Sequence, residues 1–378
     1  LTEELIMKKS LAILLGLTLV LSMFTGCAKK DATTDAPAAT TAPVATTAPE
    51  ATTAPEATVE ATTEDTTAAV AKTGLAVISS IGKSTDVAAD ADGLGQVDSV
   101  VVAVLVGEDG VILDCAIDTA QTKMNFSAEG KLTTDLATVY KSKQELGTEY
   151  GVGAVSTIGK EWNEQANALA DYVVGKTIDE VKGIAITEEG VPTDADLSAS
   201  VTIKIAGYIA AMEKAVTNAQ DLGAKVGDKL GLGVSTDIAK STDAAADAEG
   251  KAQAYSNYAA VTTSADGIIT SCAIDASQSD VNFSTVGVVT SDLTAPLQSK
   301  QELGEGYGMK KVSTIGKEWF EQANAFATYA VGKTIDEVKG VAVSEEGAPS
   351  DADLASSVTI HVAPYIGVIE KAVANAAK

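Results

Sequence analysis

Between Ser99 and Ile117 the chain carries two apolar runs around a polar tripeptide. Ser99–Val106 is mostly valine, Glu108-Asp109-Gly110 interrupts it, and Val111–Ile117 continues as a second run. Runs rich in β-branched residues on either side of an Asp-Gly turn predict a hairpin. Downstream the period changes. Trp162, Ala166, Leu169 and Val173 follow one another at spacings of 4, 3 and 4, which predicts a helix with one apolar face. Thr177-Ile178-Asp179-Glu180 has the form of a capping box, and Gly183 is placed to end a short helix. Val201, Ile203 and Ile205 then alternate like a strand, and Ile209, Met212, Ala215 and Val216 line one side of a last helix. Hairpins mixed with helices that do not interleave regularly indicate an α+β fold.

The same pattern returns 157 positions later without a gap. Lys83-Ser84-Thr85-Asp86 recurs as Lys240-Ser241-Thr242-Asp243, Asp266-Gly267 repeats the hairpin turn, and Trp319, Ala323, Phe326 and Ala330 repeat the helical stripe. The chain therefore holds two tandem copies of one small mixed domain, residues 74–222 and 231–378, joined near Asp221–Leu230. Solenoid repeats are much shorter, so a period of this length predicts two separate globular units.

Ahead of the repeats the pattern is different. Met7-Lys8-Lys9 precedes an apolar run, Leu11–Phe24, that is too short to span a bilayer comfortably and suits an export signal. Leu1–Ile6 lie before the expected start. The run ends in Phe24-Thr25-Gly26-Cys27, which resembles the lipobox of bacterial lipoproteins. That resemblance implies cleavage before Cys27 and lipidation of its sulfur, so residues 1–27 are the expected signal peptide. Residues 28–73 are mostly Ala, Thr, Pro and Glu. Such a composition buries too little apolar surface to offset its ordering entropy, which predicts a disordered tether. About 45 residues in extended polyproline form reach on the order of 140 Å.

Charge and composition remove several function classes. With 52 acidic against 27 basic residues, the net charge of −25 repels phosphate backbones and excludes nucleic-acid binding. Three cysteines and one histidine cannot build the usual Cys/His zinc site, and the first copy holds no histidine for a hydrolase. His361 aligns with Lys204 and reads as a surface residue. Asp90-Ala91-Asp92-Gly93 invites a calcium loop, but the spacing puts Ala88 and Ser99 where ligands belong, so it reads as a solvated turn with no metal. Cys115 and Cys272, one per copy at equivalent places, read as small buried thiols in a strand. Trp162 and Trp319 are candidates for stacking on a planar cofactor, although their place on the apolar stripe makes core packing the default. Lys160-Glu161 and Lys317-Glu318 stand at the amino end of that helix, where a phosphate can bind.

The segment Asp196-Leu197-Ser198-Ala199-Ser200-Val201-Thr202 recurs as Asp353-Leu354-Ala355-Ser356-Ser357-Val358-Thr359. Each copy resembles the flavinylation motif of FMN-binding domains, Asp-x-x-Ser/Thr-Gly-Ala-Thr/Ser. Ser200 and Ser357 stand where that family has glycine, Val201 and Val358 where it has alanine, and Ala199 where it has a hydroxyl residue. The resemblance implies covalent FMN, up to two per chain, on Thr202 and Thr359. Asp196 and Asp353 would then be the leading acids and Ser356 the hydroxyl position. The whole arrangement is similar to the flavinylated lipoproteins of Gram-positive bacteria, lipid-anchored on the extracellular side of the cell membrane. It implies an electron carrier loaded by an FMN transferase, reduced by a membrane quinol dehydrogenase and oxidised by an extracellular electron acceptor. A phosphoester link suits such a place, because a reversibly bound cofactor would be lost by dilution. The competing expectation is a cofactor-free acidic surface lipoprotein that binds a ligand or wall component. A strand of the form Ser-Val-Thr-Ile favours threonine without any cofactor.

Overall fold

The computed structural model describes residues 69–377. The expected signal peptide, Cys27 and the tether up to residue 68 lie outside the described residues. The last positions of the stretch assigned to the tether belong to the fold, because the first strand begins at Ala71.

In the first repeat β1 (Ala71–Ser80), β2 (Gly93–Gly107) and β3 (Ile112–Phe126) form an antiparallel sheet in that order. Five α-helices follow: α1 (Lys143–Leu146), α2 (Trp162–Val173), α3 (Ile178–Lys182), α4 (Ala195–Ser198) and α5 (Ala206–Thr217). The second repeat gives β4 (Lys229–Asp237), β5 (Gly250–Thr263) and β6 (Ile269–Phe283), again a three-stranded antiparallel sheet. Its helices are α6 (Lys300–Leu303), α7 (Trp319–Ala330), α8 (Ile335–Lys339), α9 (Ala352–Ala355) and α10 (Ala363–Ala376). The described chain is therefore α+β. The hairpin turn at Glu108–Gly110 connects β2 to β3, and Thr177 caps α3 through the Glu180 N–H.

The valine run has a cause that its composition alone did not disclose. On β2, Val102, Val104 and Val106 pack with α2 and α5, while Val101, Ala103 and Leu105 pack against Leu232, Val234, Tyr258 and Ala260 of the second repeat. Alternate side chains thus face two apolar environments, and a strand covered on both faces needs no polar positions. The layers run helices, sheet, sheet, helices. This corrects the expectation of two separate globular units, since the inner faces of both sheets form shared cores.

The interface between the repeats is reciprocal. Phe126 stacks on Phe283, its own counterpart, with ring centroids 4.2 Å apart and planes inclined by 2°. Lys214 pairs with Glu302 at 2.6 Å, and the equivalent Lys371 pairs with Glu145 at 2.6 Å. The Leu132 N–H donates to Asp243 at 2.9 Å, and the equivalent Val289 N–H donates to Asp86 at 2.7 Å. Such exchange of identical contacts is the signature of an isologous two-fold interface, here built within one chain. Gly287, at φ 72°, is needed on this seam, because a Cβ there would lie 2.4 Å from Val87 Cγ2.

Lysine and asparagine cap carbonyls of the edge strands β1 and β4 along the seam. Lys214 and Asn218 donate to the Val77 and Leu75 carbonyls at 2.6 and 3.0 Å, and Lys371 and Asn375 do the same for Val234 and Leu232 at 2.9 and 2.7 Å. Edges satisfied in this way do not recruit further strands.

Candidate functional site

The segment Val201–Ile205 is a loop, which corrects the expected strand. Its N–H groups show why. Val201 donates to the Leu197 carbonyl at 2.8 Å, closing the end of α4, and Ile205 donates to the Gly190 carbonyl at 2.7 Å. Thr202 and Ile203 donate to Gln165 Oε1 at 2.8 and 3.2 Å. None of these partners is a neighbouring strand. Val201 and Ile205 are still buried, so the apolar alternation was real but served a loop that dips twice into the core.

Thr202 is half-buried at the centre of this loop. Its hydroxyl donates to Gln165 Oε1 at 3.1 Å, the same oxygen that accepts its backbone N–H. Thr359 repeats the arrangement on Gln322, at 2.8 Å for the N–H and 3.0 Å for the hydroxyl. Gln165 and Gln322 are 0% exposed, each on the apolar face of its helix. Sequence reasoning missed them, yet a signal existed: a glutamine interrupts the same apolar stripe at the same place in both copies. A hydroxyl held in this way is oriented but not deprotonated, because a neutral amide oxygen is not a base. The site can therefore present a nucleophile to an external enzyme that supplies the base.

The other expected site residues are placed differently. Asp196 and Asp353 are exposed in the first turns of α4 and α9, whose caps are Asp194 and Asp351. The Ser356 hydroxyl donates to the Asp353 carbonyl at 2.7 Å. Trp162 and Trp319 are 2% and 1% exposed, and their indole N–H groups donate to the Tyr208 and Tyr365 hydroxyls at 3.0 and 2.9 Å. Rings buried to this degree offer no face to a planar cofactor, so the stacking role is corrected to core packing. The amino end of α2 is also not an open anion site. Glu164 accepts the Glu161 N–H at 2.8 Å, and Glu161 keeps a buried carboxylate oxygen there without a partner, so two negative charges already occupy that end. Lys160 reaches Ser200 Oγ at 3.4 Å and brings a cation to the threonine loop. The loop thus fits the attachment of a phosphate ester at Thr202, but not a flavin stacked on Trp162.

Two grooves lie elsewhere, on the seam between the repeats. One, of ≈ 640 Å³, is lined by Asp114, Asp118, Gln144 and Asn167 together with Lys229 and Lys371 of the second repeat. Its counterpart, of ≈ 360 Å³, is lined by Asp275, Gln301 and Asn324 together with Thr73 and Lys214 of the first. Burial pushes the Asp118 and Asp275 carboxyls up to about 6, although each accepts two backbone N–H groups. Neither groove is lined by Thr202 or Thr359. Cys115 and Cys272 are buried free thiols, each raised by burial, Cys272 to about 12. Among the described residues no cluster of His, Cys, Asp and Glu is placed to hold a metal ion, and no helix is long and apolar enough to cross a membrane.

Known protein families and solved structures give no match to this chain. A curated protein, chlorophenol reductase of Desulfitobacterium hafniense, is 48% identical over 42 residues, which is 11% of this chain. The chain spans 13% of that protein's length, so the similarity is confined to a short segment.

Proposed function

We propose that this chain is a cell-surface lipoprotein that relays electrons through FMN attached covalently to Thr202 and Thr359. The observation that carries this reading is the twin geometry of the two threonines. Each threonine is half-buried, its hydroxyl fixed by a buried amide, in a short loop that leads into a long helix. In each attachment the threonine oxygen forms a bond to the FMN phosphorus. A phosphoanhydride of a dinucleotide donor breaks, a nucleoside monophosphate leaves, and the hydroxyl proton passes to a base on the FMN transferase. When attached, the flavin supplies reversible electron uptake. The Cys27 lipid and the Thr/Ala/Pro-rich tether would hold the repeats near a membrane quinol dehydrogenase and within reach of an extracellular acceptor.

The test is the intact mass of the mature chain co-expressed with an FMN transferase. One FMN mass per repeat is expected, with yellow colour that survives denaturation. Thr202→Ala and Thr359→Ala should each remove one adduct. A chain that gains no mass overturns the proposal. The seam grooves favour a second reading, cofactor-free capture of a small polar ligand, and an adduct-free chain would turn attention to them.

A further inference from the structure

We infer that Gln165 and Gln322 are the positioning residues that select Thr202 and Thr359 as the acceptors, an inference that rests on the covalent-flavin reading. Each segment offers several hydroxyls. In the first copy Ser198 donates to the Ala195 carbonyl at 3.3 Å, and Ser200 accepts from Lys160 at 3.4 Å. In the second copy Ser356 is committed to the Asp353 carbonyl. Only the threonine is gripped at two points, its N–H and its hydroxyl, by a single side-chain oxygen in each copy.

The orientation of that amide is set by its other end. Gln165 Nε2 donates to the Lys160 carbonyl at 2.8 Å and to Ser156 Oγ at 3.3 Å, and Gln322 Nε2 donates to the Lys317 carbonyl at 3.1 Å and to Ser313 Oγ at 3.3 Å. A carbonyl only accepts and a backbone N–H only donates, so the amide cannot be turned over without breaking both ends. Its oxygen must face the threonine. The hydroxyl then donates its hydrogen inward, and its lone pairs are left for an incoming phosphorus. Fixing the nucleophile beforehand is worth large factors in rate, and a misplacement of about 1 Å costs roughly a hundredfold. A primary amide with no exposure in an apolar stripe is costly unless all its bonds are made, and here they are.

The experiment co-expresses the full chain with an FMN transferase and locates adducts by peptide mass. Wild type should carry both adducts. Gln165→Met keeps the volume but loses the acceptor, so the Thr202 adduct should fall roughly tenfold or more while Thr359 keeps its own. Gln322→Met should give the mirror result. Gln165→Glu fits this place only as the protonated acid, whose O–H donates to the Lys160 carbonyl while its other oxygen accepts from Thr202. With purified transferase its Thr202 adduct, relative to Thr359 on the same chain, should therefore rise as pH falls from about 8 to about 6, even if Gln165→Met loses both adducts by unfolding. Transfer of the adduct to Ser198 or Ser200 in Gln165→Met also supports selection. Two undiminished threonine adducts in Gln165→Met, or a Thr202-to-Thr359 adduct ratio in Gln165→Glu that does not rise at lower pH, overturn the inference alone. A wild-type chain without adducts overturns the flavin proposal and this inference together.

Discussion

The lysine that opens α1 in one repeat and α6 in the other meets two different surroundings. In the first repeat Lys143 Nζ lies 4.6 Å from the Tyr150 ring and 5.3 Å from the Trp162 ring. Nearby, Asp98 pairs with Lys83 at 2.8 Å and accepts from Gln121 at 2.9 Å. Burial works against the Asp98 charge, yet the bonds from Lys83, Gln121 and Gln96 hold it below the usual carboxylate range. In the second repeat Tyr255 stands where the first has Asp98. Its ring lies 4.5 Å from Lys300 Nζ and its hydroxyl 3.0 Å away, with Tyr307 at 4.6 Å and Trp319 at 5.3 Å. Lys300 is 4% exposed, and burial pushes its amine down to about 7. One repeat keeps its lysine near a compensated ion pair, and the other closes an aromatic box over it. The same backbone tolerates both because the exchange occurs on the outer face of the sheet, away from the shared core.

The largest expected effect tests whether the repeats form one folding unit in which such a comparison is meaningful. Phe126→Ala and Phe283→Ala should each cost about 3–5 kcal/mol, measured by chemical denaturation. The double variant should cost less than the sum, because the two rings are each other's contact. Unfolding in two separate transitions would break the picture of a common core. A smaller effect distinguishes the two lysines by pH. Lys300 binds fewer protons folded than unfolded between about 7 and its ordinary value of 10.5, so its burial costs stability at low pH and the cost fades as pH rises through that window. The cost is on the order of a few kcal/mol, offset by the attraction of ring faces for an ammonium. Lys300→Met should therefore flatten the rise in melting temperature between pH 7 and 10, and Lys143→Met should flatten it less. Equal slopes would show that the aromatic box does not set the difference. The smallest effect concerns the ion pair itself. Lys83 is largely exposed, so Lys83→Ala should change stability by less than about 1 kcal/mol at moderate salt, read from the same melts.

Much of the fold was legible because local chemistry and tertiary packing agree. The Asp109-Gly110 turn, the Trp162–Val173 stripe and the Thr177 cap each appear where spacing put them. Val201-Thr202-Ile203 misled because burial alternates in a loop pinned at both ends as well as in a strand, and only the destination of the N–H groups separates the two. The leading aspartates stood out by motif, yet Asp194 and Asp351 make the caps. Gln165 drew no notice because a single amide in an apolar stripe acquires meaning only from what it touches across 37 residues. The valine run did contain the shared core, written as the absence of polar positions on either face.

The seam on which Phe126 meets Phe283 has a consequence for behaviour under dilution. Two free copies joined by an isologous surface come apart as concentration falls, whereas two copies on one chain see each other at an effective concentration of the order of millimolar. The seam therefore holds at any abundance of the protein. Covalent linkage also releases the halves from a constraint that binds every homodimer, in which one mutation strikes both sites at once. Here each half mutates alone, so a tyrosine can enter one lysine site while an aspartate stays in the other.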